Sequence, residues 1–203
     1  MFQPRGGFSM LPLVIKNLII INALVFLYTF LDKSGIALLG LHPFDSPLFK
    51  PYQLVTFMFT HGNFFHFFFN MFALWMFGNQ VESIWGPKKF LIFYLVCGLA
   101  SALGQMGFSY LLQDNSYSIL VGASGAIYGI LVGYAFLFPN QQLMLLFPPI
   151  PIRAKWLITI ILAIDVVQGF TGGGDIAHFA HISGAIMGIL ILLFWRSRGE
   201  LYK

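Results

Sequence analysis

The stretch GASGAIYG, residues 122–129, places a single serine, Ser124, among small residues. The chain continues ILVG, so Gly125, Gly129 and Gly133 recur at every fourth position and would share one helix face. Small residues at this spacing let two helices approach closely inside a membrane. A second set at the same spacing predicts that this helix packs against the last apolar segment of the chain: Ala180, Gly184 and Gly188. The stretch leaves two roles open for Ser124: a catalytic nucleophile, or a small packing residue at a helix start.

The composition of the whole chain indicates a membrane protein. The 203 residues are 58% hydrophobic and 9% charged, with a mean hydropathy of +0.82, whereas a soluble domain carries about 25% charged residues. A chain of this length cannot hide so much apolar surface from water. The net charge of +4 is scattered between apolar runs, so nucleic-acid binding is not indicated. The one cysteine, Cys97, excludes an intramolecular disulfide framework.

Six apolar segments predict an all-α membrane protein, a bundle of six transmembrane helices with a short, central fourth helix. A helix needs about 20 apolar residues to cross a bilayer. The fourth segment is shorter, so we expect other helices to surround it. No repeat or linker interrupts the chain, and residues 1–203 are predicted to form one domain. The predicted segments are Leu11–Leu31, Phe64–Ile84, Phe90–Leu112, Ser124–Phe138, Ala154–Phe170 and Ile176–Trp195.

The cations between these segments predict the topology. Nine fall on one side and two on the other, so the positive-inside rule predicts that both termini are cytoplasmic. The expected location is a bacterial-type inner membrane. Residues 32–62 would then be external and, being rich in apolar side chains, would lie partly in the interface. The nine are Arg5, Lys16, Lys88, Lys89, Arg153, Lys155, Arg196, Arg198 and Lys203; the two are Lys33 and Lys50.

Polar side chains cluster where the second, fourth and sixth segments begin. His66 and Asn70 are four residues apart and share a helix face, Ser124 opens the fourth segment, and His181 lies near the start of the sixth. Polar groups inside a membrane are costly and mark function by default. Because these three segments start on the same side, we expect the four side chains to meet at one depth, on the external side.

This set suits nucleophilic catalysis. A serine hydroxyl needs a base to take its proton, and histidine, here His181, is the usual one. Asn70, His66 and the backbone N–H of Ser124 could stabilise an oxyanion. Tyr128, one turn below Ser124, could stack on His181. Taken singly, each residue could instead be structural, with Ser124 a packing residue and His66 and Asn70 hydrogen-bonding between helices.

No third catalytic group is predicted. Apart from Glu82 near the end of the second segment, Asp165 is the only acid within an apolar segment, and we expect it to lie some way from the external end, which favours a Ser–His dyad. His178, one turn before His181, is assigned a secondary role. The two histidines lack a third ligand that the sequence can place, so neither a metal nor a cofactor is predicted.

Three motifs resemble those of the rhomboid family of intramembrane serine proteases, in the family's order and over nearly the whole chain. They are HFFFN at residues 66–70, GASG at 122–125 and AHISGAIMG at 180–188. The resemblance implies a six-helix bundle with Ser124 as nucleophile and His181 as base. It also implies oxyanion-side roles for His66 and Asn70 and a stacking role for Tyr128. Gly122 and Gly125 would support the site. Glu82 matches a glutamate near the end of the family's second helix, and we expect it to make a structural hydrogen bond.

One position departs from the family pattern. Many members carry a Trp-Arg pair in the first external loop, where this chain reads Tyr52-Gln53. The pair lies outside the predicted dyad. The departure therefore puts the structure of the loop in question rather than the chemistry.

The leading hypothesis is a serine endopeptidase that cleaves transmembrane protein substrates, within the lipid bilayer, near the external side. One alternative is a catalytically inactive rhomboid-like protein that binds membrane clients, although Ser124 and His181 are both intact. Another is a small transporter, for which more charged residues in the spans and an internal repeat would be expected.

Overall fold

Helices dominate the computed structural model, which describes residues 11–111, 119–145, 148–171 and 177–202. The described part of the chain also contains one antiparallel pair of short strands, β1 (Gln142–Met144) and β2 (Pro151–Arg153), which the all-α prediction did not include. The helices are α1 (Leu13–Leu31), α2 (Ser34–Leu39), α3 (Gln53–Thr56), α4 (Phe64–Ala73), α5 (Asn79–Leu111), α6 (Ser124–Leu137), α7 (Ala154–Thr171) and α8 (His178–Ser197).

Among the described residues, four helical runs are long and apolar enough to cross a membrane, and α6 is a shorter apolar helix. The four runs are Leu13–Leu31, Phe64–Leu111, Ala154–Thr171 and His178–Ser197. Helix is found within all six predicted segments. The predicted end of the third segment, Leu112, and the predicted start of the sixth, Ile176, lie outside the described residues.

The 48-residue run from Phe64 to Leu111 contains the second and third predicted segments. A π-helical turn, Leu74–Gly78, joins α4 to α5. Within α5 the backbone turns sharply at Gly86, whose φ of 75° favours glycine, and Pro87 follows. Proline has no N–H to lose and a φ suited to a first helical turn. The predicted break between Ile84 and Phe90 is therefore a tight turn rather than an open loop.

Glu82 fixes one end of the bundle. Its carboxylate accepts the backbone N–H groups of Val14 and Ile15 at 2.9 and 2.8 Å. These donors lie in the first turn of α1, where no intrahelical acceptor exists, so the contact caps the helix. Trp85 Nε1 donates to the Leu201 carbonyl at 3.0 Å. The start of α1, the turn at Gly86 and the residues after α8 thus meet at one end, and the predicted structural role of Glu82 is confirmed.

Gln53 orders the segment between α1 and α4 at the opposite end. The side chain is 1% exposed. Its oxygen accepts the N–H groups of His42 and Lys50, and its nitrogen donates to the carbonyls of Leu38 and Leu48. A glutamine that uses both ends of its amide ties this loop together. The departure at Tyr52-Gln53 therefore leaves the loop well bonded.

The same segment positions the start of α6. Leu41 and Leu120 exchange backbone hydrogen bonds at 2.9 and 2.8 Å, and the Gly122 N–H donates to the Phe57 carbonyl at 2.9 Å. These bonds fix the backbone that leads into Ser124, the first residue of α6.

Glycine contacts bring α6 against α8 along a glycine seam, formed by Gly125 and Gly129 of α6 with Gly184 and Gly188 of α8. A Cβ atom added at Gly184 would overlap the Gly125 carbonyl, and one at Gly188 would lie 3.1 Å from the Gly129 Cα. The predicted close packing of these two helices is confirmed. It is wrong for Gly133, where an added Cβ would instead lie 2.9 Å from Trp85.

Candidate active site

Ser124 and His181 form the centre of the candidate site. Ser124 opens α6, and His181 lies one turn into α8. The His181 Nε2 atom lies 2.8 Å from the Ser124 Oγ atom, a normal hydrogen-bond distance. The glycine seam explains the approach, because bulkier residues would hold the two helix starts apart. The structure therefore brings together the pair that the motifs singled out.

Tyr128 fixes the plane of the imidazole. Its ring stacks on His181 with a centroid distance of 4.2 Å and an interplanar angle of 12°. Tyr128 lies one helical turn after Ser124, so α6 supplies both the hydroxyl and the surface that supports the imidazole. The stacking expected from the resemblance is present.

Asp165 lies next to the pair, contrary to the expectation from the sequence. Its Oδ1 atom is 3.2 Å from His181 Nδ1 and 2.5 Å from His178 Nδ1, and the residue is 5% exposed. Asp165 is six residues before the end of α7 at Thr171, about 9 Å along the helix axis. His181 is three residues into α8, about 4.5 Å from its start. Counting helical rise back from the α7–α8 connection would have revealed that the two depths are similar.

The same three residues supply the metal-ligand set that the sequence did not complete. One ligand atom from each of Asp165, His178 and His181 lies within 4.8 Å of the others. A carboxylate with two imidazoles is a donor set that zinc accepts. Here both Nδ1 atoms already point at one carboxylate oxygen, and His181 Nε2 faces Ser124. This arrangement gives both Nδ1 atoms and His181 Nε2 a hydrogen-bond partner within the site.

Gly122 makes room for His66 beside Ser124. Its φ is +118°, a region that side chains rarely adopt. A Cβ atom there would lie 2.6 Å from His66 Nε2 and 3.6 Å from Ser124 Oγ. Both the backbone conformation and the neighbouring imidazole therefore require glycine. The structure thus brings His66, on α4, close to Ser124 as expected.

Asn70 is buried one turn after His66 on α4. Its Nδ2 atom donates to the His66 carbonyl at 2.7 Å. A carboxamide nitrogen carries two hydrogens, so this bond leaves Asn70 a second donor. The contact shown for Asn70 is with its own helix, and its predicted role toward an oxyanion stays a prediction.

Gly125 supports the site through packing. A Cβ atom on Gly125 would overlap the Ser101 side chain on α5 and would lie 3.3 Å from the Ala180 carbonyl on α8. Any side chain at this position would push the first turn of α6 away from both helices. The supporting role expected for Gly125 is therefore steric.

His61 lies in the segment that was predicted to be external, residues 32–62, and is a buried neighbour of the site. It is 1% exposed, and its ring meets His66 edge to face at a centroid distance of 5.0 Å. Burial, with the nearby His66, lowers the pKa of His61 to about 3. His61 is therefore neutral at physiological pH, and its position five residues before the HFFFN motif gave no signal of burial.

Comparison with protein families identifies the chain. A family model described as a rhomboid domain matches residues 49–198. The chain belongs to the rhomboid family. Together with the apolar helices, this membership makes it an integral membrane protein. The family includes serine proteases that act on transmembrane substrates within the membrane.

Curated relatives agree with this assignment. The chain is 29% identical over 198 residues to the mitochondrial presenilin-associated rhomboid-like protein of Mus musculus, covering 93% of this chain and 52% of the relative. It is 30% identical over 132 residues to the mitochondrial rhomboid protein 1 of Saccharomyces cerevisiae, covering 65% and 38%. It is 33% identical over 153 residues to the rhomboid protease AarA of Providencia stuartii, covering 66% and 52%.

The relatives also bear on location and length. Two of the three named are mitochondrial, so the predicted bacterial-type inner membrane is not supported. The chain spans about half the length of the mouse relative.

Proposed function

We propose that this rhomboid protein is an intramembrane serine endopeptidase that uses Ser124 as nucleophile and His181 as general base. One observation carries the proposal: the 2.8 Å contact between Ser124 Oγ and His181 Nε2 at the start of a mostly buried helix. A serine packed there only for its small size would not need an imidazole aimed at its hydroxyl.

The proposed architecture is a single domain of six spans. The turn at Gly86 divides the Phe64–Leu111 run into two, and α1, α7 and α8 supply three more. The remaining span is α6, which corresponds to the predicted short fourth helix. It is buried at ten of its fourteen positions and packs on α5, α7 and α8. The charge bias and the meeting of α1 with the residues after α8 support placing both termini on the same side.

The geometry supports a proposed acylation step. Ser124 Oγ attacks the scissile carbonyl carbon while its proton passes to His181 Nε2. The carbonyl π electrons move to the oxygen, giving a tetrahedral oxyanion. Three groups are the proposed donors to that oxygen: the second Nδ2 hydrogen of Asn70, the His66 imidazole and the backbone N–H of Ser124. The positive end of α6 adds to this stabilisation.

Breakdown and deacylation reuse the same imidazole. The oxyanion re-forms its carbonyl, the C–N bond breaks, and His181 Nε2–H protonates the leaving amine. The other half of the substrate remains as an ester on Ser124. Water then attacks this ester with His181 as base, and the acid product leaves as the hydroxyl of Ser124 is restored.

The proposed substrates are transmembrane segments that unwind easily. A peptide bond within a helix has its carbonyl engaged, and unwinding in lipid leaves backbone groups that need partners. Glycine and proline lower the cost of leaving the helix. We expect slower cleavage of a model substrate when glycine and proline below the scissile pair are changed to leucine. Equal rates for the two substrates would show that unwinding does not limit cleavage.

The test of the proposed activity compares the full chain with Ser124→Ala on a model transmembrane substrate in proteoliposomes. Alanine fits the same space, so we expect a folded protein without detectable turnover. Ser83→Ala is the matched control, because Ser83 is exposed and its hydroxyl donates to the Asn79 carbonyl within its own helix. No turnover by the unmodified chain would favour the inactive client-binding alternative.

A further inference from the structure

Asp165 on α7 faces two imidazoles of α8. We infer that Asp165 is a positioning residue for His181 and that His178 holds Asp165 in place. This inference rests on the proposed function, because it concerns how the base at Ser124 is oriented. It replaces the dyad expected from the sequence with a chain of four side chains: Ser124, His181, Asp165 and His178.

The first step is the tautomer of His181. To accept the Ser124 proton, Nε2 must carry a free lone pair, so the neutral ring must carry its hydrogen on Nδ1. The Asp165 carboxylate is acceptor-only when ionised, and its Oδ1 lies 3.2 Å from that Nδ1. The contact therefore selects the tautomer in which Nε2 can act as base.

The second step is the rotation of the ring. Stacking on Tyr128 fixes the plane of the His181 imidazole but is indifferent to a half-turn about Cβ–Cγ. Such a turn would carry Nε2 away from Ser124 and put carbon in its place. Hydrogen bonding of Nδ1 to Asp165 opposes that turn. Tyr128 and Asp165 thus restrain different motions of the same ring.

The third step is how Asp165 itself is held. α7 is largely exposed, with Ala154, Ile158 and Asp165 as its buried residues among those described. The closest contact of the carboxylate is with His178 Nδ1, at 2.5 Å. His178 and His181 are three residues apart on α8 and so share a face. His178 therefore ties the carboxylate to the helix that carries the base.

A buried carboxylate also needs a reason to be in the bundle. Ionisable side chains inside membrane helices are costly and occur with partners. The groups that face Asp165 are His178 and His181 from α8 and Tyr128 from α6. Two imidazole donors on one oxygen compensate the loss of water, and one of those imidazoles is the proposed base.

The main experiment measures kcat and KM for the full chain, Asp165→Asn and Asp165→Glu on the model substrate. We expect Asp165→Asn to lower kcat by about 10²-fold and to change KM by no more than about twofold. This loss in kcat is smaller than the roughly 10⁴-fold loss that the same substitution causes in the catalytic triad of a soluble protease. Asp165→Glu should recover part of it. Gln168→Leu, on the same cavity wall of α7, is the control and should keep its kcat.

A second pair of variants tests the role of His178 without touching Asp165. His178→Phe removes the donor to the carboxylate, and we expect kcat to fall by about tenfold. His178→Gln keeps an N–H that can reach the carboxylate and should restore most of that loss. Equal rates for these two variants would overturn the tie between His178 and Asp165.

Nitrogen-15 spectra of the histidines provide a readout that a purely structural role would not change. We expect His181 to show an unprotonated Nε2 and a protonated Nδ1 in the unmodified chain, and a different mixture of tautomers in Asp165→Asn. An unchanged tautomer together with unchanged kcat would overturn the inference. If Asp165→Asn does not fold, the comparison of His178→Phe with His178→Gln still tests the inference.

Three further outcomes separate this inference from its alternatives. Turnover that is abolished by EDTA and restored by Zn²⁺ would make Asp165, His178 and His181 a metal site and would overturn the positioning role. An unmodified chain without turnover would overturn the proposed function and this inference together. Turnover that depends on Ser124 but not on Asp165 would overturn this inference alone.

Discussion

The two interfaces of α8 that build the site are held in different ways. Toward α6, the glycine seam brings the backbones into direct contact at Gly125 and Gly184. Toward α7, an added Cβ at Gly169 would lie 3.2 Å from the His178 Cβ, and most of α7 is exposed. Backbone contact fixes Ser124 against His181, whereas side-chain hydrogen bonds bring Asp165 to the same imidazole. The site therefore depends on one rigid helix interface, between α6 and α8, and on one that can adjust, between α7 and α8.

Gly184→Ala tests this comparison and is expected to have the largest effect of the variants considered. Its methyl group would overlap the Gly125 backbone, which cannot move aside as a flexible side chain can. We expect a large loss of thermal stability and no detectable turnover. Gly169→Ala is the matched control on the α7 side, where a shift of a few tenths of an ångström suffices, so turnover should fall by no more than a few-fold. Similar losses in the two variants, measured by melting and by turnover, would remove the distinction.

A smaller effect is expected for Asn70→Ala. Loss of one oxyanion donor typically costs about 10²–10³ in rate. We expect turnover to fall within that range while the melting temperature changes little, because Asn70 bonds to its own helix. Asn79→Ala, farther along the same helical run, is the control. Turnover equal to that of the unmodified chain would leave Asn70 with only its bond to the His66 carbonyl.

The glycine seam was predictable from the sequence, and the position of α7 was not. Gly125, Gly129, Gly184 and Gly188 recur at a spacing that favours close helix approach, so the meeting of Ser124 with His181 follows from local pattern. α7 offers no such pattern, since its apolar residues lie on most of its surface. Its rotation is set by packing and by the buried Asp165, which spacing alone could not reveal.

Loop structure could be predicted from the sequence only in part. The turn at Gly86–Pro87 lies where two apolar segments meet, and both residue types favour it. The hydrogen bonds of Gln53 connect residues far apart in the chain, which no short-range pattern encodes. The pairing of β1 with β2 was missed as well, because each strand is only three residues long.

The smallest effect concerns pH and the site end of the bundle. The pKa of His61, lowered to about 3, lies below the ordinary value of 6.5, so the unfolded chain binds more protons between these values. Stability from this group is present above pH 6.5 and is lost as the pH falls below it, by at most about 1.4 kcal/mol per pH unit. We expect the melting temperature to drop between pH 7 and pH 5.

The comparison for this pH effect is His61→Phe, in which a ring of similar shape faces His66 and cannot take up a proton. Its melting temperature should fall less over the same pH range. The same slope in both proteins would show that other groups, such as His66 itself, govern the acid sensitivity.

Labelling with a serine-directed fluorophosphonate tests the central claim most directly, because it reports an activated hydroxyl without any assumption about substrate. The reagent should phosphonylate Ser124 in the full chain, as located by mass spectrometry of its peptides. Labelling should disappear in Ser124→Ala and in His181→Ala and persist in Ser83→Ala. A label on a different residue, or equal labelling of His181→Ala and the unmodified chain, would contradict a nucleophile at Ser124 activated by His181.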